Sequence, residues 1–130
     1  MMETQLRIAL VQWLAGDPVL SDALNDITEE APSRASIPWL GIAASASVDW
    51  STKDRRGREV RVALELQTRG DASGETAAIA SQVEERIETM TAAQSGFAIA
   101  SITFLRARAE QRERNIRAVL LEYRFRILET

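Results

Sequence analysis

The densest run of side chains able to do chemistry is Lys53-Asp54-Arg55-Arg56-Gly57-Arg58, with four cations in six residues. Such a cluster can hold phosphates by charge, or pair with carboxylates on a partner surface. No aromatic residue is interleaved with it, and no basic recognition helix accompanies it, so nucleic-acid contact is the weaker of the two readings. A solvated loop tip is the third.

Catalytic chemistry is narrowed by what is missing. The chain has no Cys and no His, which removes disulfides, thiolate metal sites, cysteine nucleophiles and the commonest general base. An enzyme built on this sequence would work through carboxylates, Tyr123 or the lone Lys53. The acidic pairs Glu29-Glu30 and Glu84-Glu85 are adjacent in sequence, so on a helix or strand they point apart and form no carboxylate dyad. Gly70-Asp71-Ala72-Ser73-Gly74 matches neither phosphate-cradling glycine motif and reads as a turn. No catalytic, cofactor-binding or metal site is expected.

Charge is laid down in blocks. Residues 1–50 net −5, 51–70 net +3, 71–95 net −4 and 96–130 net +3, and all but one of the 16 bases are Arg. The negative blocks coincide with helical patterns and the positive ones with hairpins. Opposite charge on two flanks suits head-to-tail association, which closes into a ring when the rotation permits.

The elements positioning these groups follow from periodicity. At 130 residues one core and one domain spanning 1–130 are expected. Residues 4–15 carry Leu6, Ala9, Leu10, Trp13 and Leu14 at helical spacing, with Ile8 and Val11 widening the stripe toward a second contact. Gly16 can supply a left-handed cap, and Pro18 stops continuation. A short helical turn reaches Leu24, and 27–30 reads as a short edge strand. Residues 38–50 form a strand in which Leu40, Ile42, Ala44, Ala46, Val48 and Trp50 share one face. Residues 59–67 alternate clearly, with Val60, Val62, Leu64 and Leu66 inward. The intervening loop is longer than a tight hairpin needs, as functional loops often are. A second helix spans 74–94, with Ile79, Val83, Ile87 and Met90 on its core stripe. Strands at 97–108 and 115–128 close the chain around a charged tip at 109–114. Consecutive hairpins imply an α+β, two-layer fold: a mainly antiparallel sheet of four to five strands with two main helices on one face. Trp13, Trp39 and Trp50 fit core and interface packing.

No apolar stretch approaches the roughly 20 residues of a membrane span. The N-terminal residues lack the pattern of a secretory signal, so cytosolic synthesis is expected.

Ala31-Pro32, Ile37-Pro38-Trp39-Leu40-Gly41-Ile42, Asp49-Trp50-Ser51-Thr52-Lys53 and Gly57-Arg58-Glu59 resemble the tail-completion or tail-terminator proteins of long-tailed phages and gene transfer agents. The closing Tyr123-Arg124-Phe125-Arg126-Ile127-Leu128-Glu129 strand falls where that family has one. The Asp-Trp-Ser-Thr-Lys stretch is the most specific piece. Departures lie at 25–30, which lacks the expected glycine and aromatic residues, and at Leu66-Gln67-Thr68, which lacks a strand-end Trp.

The resemblance implies a ring, a hexamer, that caps the tail tube and docks onto the head–tail connector or stopper protein. DNA would pass through its lumen without specific binding. The protein would assemble in the bacterial cytoplasm and end in the particle at the head–tail junction, with no membrane, no cofactor and no enzymatic activity. Asp49, Trp50, Lys53, Asp54, Arg55, Arg56 and Arg58 become the candidate interface toward a neighbouring subunit or ring. Competing readings are another connector or tube component of the same particle, a small nucleic-acid-binding module, and a small carboxylate enzyme or ligand-binding domain.

Overall fold

The computed structural model describes residues 1–30, 36–70 and 73–130. Ala31-Pro32 of the family-like stretch, together with Asp71 and Ala72, lies outside them. The elements are α1 (Met2–Ala15), α2 (Pro18–Ala23), β1 (Asp26–Thr28), β2 (Trp39–Asp49), β3 (Gly57–Arg69), α3 (Ser73–Glu88), β4 (Phe97–Gln111), a 3₁₀ turn (Glu113–Asn115) and β5 (Ile116–Glu129). The strands form one sheet in the order β1-β2-β3-β5-β4. All pairings are antiparallel except the short β1–β2 contact, which is parallel. This is the α+β arrangement that the hairpin pattern implies.

The helices cover one sheet face. Leu6, Leu10 and Leu14 of α1 and Val83 and Ile87 of α3 are fully buried against Val60, Val62, Leu64 and Leu66 of β3 and Leu121, Tyr123, Phe125 and Ile127 of β5. Both central strands alternate without interruption over 13 paired residues, so each presents every second side chain to the helices. Trp13 joins α1 to α3: its indole nitrogen donates to the Arg86 carbonyl at 2.6 Å while the Arg86 guanidinium lies 3.6 Å over its ring. No helix among the described residues is long and apolar enough to cross a membrane.

Four expectations change. First, β2 does not keep one face throughout. An irregularity between Ile42 and Ala44 inserts an extra residue, and one extra residue reverses the side-chain alternation. Ser45 and Ser47 therefore turn to the helix side, where they meet Arg7 and Glu3. Ala44, Ala46 and Val48 turn to the opposite face. Second, Gly16 is right-handed (φ −76°). Its missing side chain instead leaves room for the Arg86 guanidinium, 3.3 Å from where a Cβ would sit. Third, α3 ends at Glu88, and Met90 reaches the core from the following turn. Fourth, β4 runs on to Gln111, and the last hairpin closes through Arg114 and Asn115, both left-handed.

Candidate interface hairpin

The seven interface candidates divide into a braced base and a free tip. At the base, the Trp50 amide donates to the Gly57 carbonyl at 3.0 Å, and the Gly57 amide donates to Ser51 Oγ at 3.0 Å. Ser51 Oγ in turn donates to Asp49 Oδ1 at 2.6 Å. Gly57 is required here by space, since a Cβ would collide with the Trp50 carbonyl oxygen and crowd Leu128 and the Ile127 carbonyl. Across the tip, the Thr52 amide donates to the Arg55 carbonyl at 2.9 Å and the Arg55 amide donates to Thr52 Oγ1 at 3.0 Å. Serine and threonine hydroxyls thus close the turn that a tight hairpin would close with backbone alone.

Arg58 belongs to the base. Its Nε lies 3.3 Å from Glu3 Oε2 and its Nη1 lies 3.7 Å from Asp49 Oδ1. The Ser47 hydroxyl donates to Glu3 at 2.6 Å. That hydrogen bond, with a backbone hydrogen bond and the Arg58 charge, holds the Glu3 carboxyl below the ordinary carboxylate range despite its burial. Trp50 is half-buried with the Arg126 guanidinium 5.5 Å from its ring centre, and the Glu129 amide donates to the Arg56 carbonyl at 2.9 Å. The hairpin is therefore anchored to α1 and to β5.

Lys53, Asp54, Arg55 and Arg56 are exposed, and none of their side chains makes an ion pair among the described residues. Elsewhere among the described residues most of the arginines are partnered, Arg61 and Arg114 making no ion pair. On the sheet face away from the helices, Glu59 sits 3.0 Å from Arg126 and 3.7 Å from Arg124, Glu122 pairs with Arg106 at 2.8 Å, and Glu65 pairs with Arg112 at 3.2 Å. Glu110 accepts from both Arg108 and Arg112. The positive block in 96–130 is thus largely neutralised where it stands, leaving the tip as the concentrated free cation. The sequence missed Glu3 and Ser47 as supports of the hairpin. Glu3 lies on an otherwise apolar helix stripe, which was the available signal, and Ser47 reaches it only through the β2 irregularity.

Among the described residues no cluster of acids could hold a metal ion. The hairpin base borders a polar cleft of about 670 Å³ lined by residues including Glu3, Gln5, Asp49, Arg56 and Arg58. Its charged members mostly pair with one another, so the arrangement supplies a stiff platform for a cationic tip.

None of the curated proteins compared matches the chain. Of the solved structures, 26 chains match. One is a chain from the virion of a native gene transfer agent particle, at a TM-score of 0.83 and 21% identity over 97% of this chain and 96% of that one. Identity at that level establishes a shared fold. The family described as "Tail completion protein gp17" matches residues 8–128. The chain belongs to that tail completion family and is a structural protein of a phage-like tail.

Proposed function

We propose that copies of this chain form a ring, a hexamer, that terminates the tail tube and joins it to the head–tail connector. The observation that carries this reading is family membership over 121 of the 130 residues, which reaches every strand and covers the 49–58 hairpin. In the proposal, Lys53, Asp54, Arg55 and Arg56 make the contact with the next subunit or ring. Asp49, Trp50 and Arg58 keep the tip at a fixed angle. A preset tip loses little conformational freedom on docking, which favours association. DNA passes through the lumen, and the matched Arg–Glu pairs on the uncovered sheet face suit a wall that does not grip it. The particle is assembled in the bacterial cytoplasm and the ring sits at the head–tail junction.

Electron microscopy of purified tail tubes, with and without added protein, tests this. One end of each tube should acquire a ring-shaped cap, and capped tubes should stop growing when tube subunits are supplied. Uncapped tubes that keep growing would overturn it.

A further inference from the structure

The sheet has two open edges. Among the described residues β4 is an open edge from Ser101 to Gln111. Its first residues are covered by 92–94, where Ala93 bridges Ala98 and the Ile99 amide donates to the Ala92 carbonyl at 2.8 Å. On the other side β1 covers only Trp39–Gly41 of β2, so among the described residues β2 from Ile42 to Asp49 has no strand beyond it. Beyond the irregularity at its start, that stretch contains no charge before Asp49 and no proline, two of the devices with which proteins blunt exposed edges. Two of the large exposed apolar side chains among the described residues lie on these edges: Val48 on β2 (60% exposed) and Phe104 on β4 (45%). Arg7 reaches both Ser45 and Glu29, which places its flank of α1 over the β2 edge.

Strand direction decides how the edges could meet. β2, β3, β5 and β4 alternate up, down, up, down. A copy rotated about an axis along the strands would place its β2 antiparallel to the β4 of its neighbour, continuing the alternation without a break. At equal height the registers set β2 residues 42–48 level with β4 residues 101–107. Phe104 would then lie on the helix side, facing the small Ser45 and the flank of α1 that carries Arg7. A two-fold β4–β4 pairing centred on Ala107 would instead bring Arg106 against Arg108 of the other copy, and like charges across a ladder repel.

We infer that copies of this chain join edge to edge, the open edge of β4 adding antiparallel to the open stretch of β2 in the next copy. This rests on the ring reading and names the surface that builds the ring. Because the chain has no cysteine, engineered pairs report cleanly. Single variants Ala44→Cys, Ala46→Cys and Val48→Cys on β2 are mixed with Ser101→Cys and Thr103→Cys on β4, alone and with purified tail tubes, and oxidised. Disulfide-linked dimers should form in the β2-with-β4 mixtures at one register and not within either set. Dimers confined to one set, or none at all, would overturn the inference. Val48→Asp, at an exposed position outside the core, should leave the melting temperature unchanged and reduce assembly at least 10-fold; unchanged assembly would also overturn it. Native mass measurement on the same samples separates the two ideas. Rings without β2–β4 disulfides would refute edge joining alone, and a monomer under every condition would refute the ring as well.

Discussion

Tyr123 is the only tyrosine. It is fully buried between the sheet and α3, and its hydroxyl has no hydrogen-bond partner among the described residues. Its ring meets Phe104 edge-on at 5.5 Å between centroids. Burial, with the carboxylates of Glu84 and Glu88 nearby, pushes its ionisation well above the ordinary value. A buried hydroxyl without a partner costs about 1–3 kcal/mol. Tyr123→Phe removes that group and keeps the ring, so a gain of about 1 kcal/mol is expected. With an unfolding entropy of about 2.1 cal/mol/K per residue, that raises the melting temperature by about 4 °C. The sign at high pH follows from linkage. The folded value is raised, so the contribution is complete below the unfolded value of about 10 and is lost as pH rises toward the folded one. Wild-type stability should fall by up to about 1.4 kcal/mol per pH unit above about 10 relative to Tyr123→Phe. Calorimetry and denaturant melts read the stability. Phenolate absorbance reads the ionisation of this single tyrosine directly. Ionisation near 10 in the folded protein, or a loss of more than 1 kcal/mol in Tyr123→Phe, would refute the burial argument.

Three further outcomes follow from the hairpin. Glu3→Gln should cost about 1 kcal/mol at neutral pH. Because the folded Glu3 value is lowered, that difference should be present above the unfolded value of about 4.3 and vanish as pH falls through the folded one; a difference that persists in acid would contradict it. Gly57→Ala should cost about 1–3 kcal/mol, since the colliding atoms include two backbone carbonyls that cannot swing aside; a melt matching wild type would show that the hairpin base is loose. Neutralising Lys53, Arg55 and Arg56 together to Ala should change stability by less than about 0.5 kcal/mol and reduce ring docking at least 10-fold. Undiminished docking in a binding assay with purified connector and tubes would remove the tip from the interface.

Much of the architecture is written in local pattern. Val60 to Leu66 and Val119 to Ile127 alternate strongly because both faces of those strands differ in polarity, and the structure pairs them as the sheet centre. The β2 parity reversal was invisible for the opposite reason: in Ala43-Ala44-Ser45-Ala46-Ser47 both faces carry small side chains, so a one-residue shift leaves no mark. The parallel β1 contact depends on a return path that no hairpin signal announces. At the hairpin, the cations were legible by composition. Their division into braced and free was not, because Arg58 finds Glu3 across 55 positions of sequence. The exposure of Phe104 and the buried, unpartnered hydroxyl of Tyr123 depend on packing between distant elements and leave no mark in local pattern.

The proposed ring is tested most directly in the particle itself. Particles assembled without this chain should appear in the electron microscope as filled heads separate from tails, with tail tubes of uncontrolled length, and the wild-type chain should restore joined particles of uniform tail length. Joined heads and tails of uniform length in its absence would contradict a terminating and joining role.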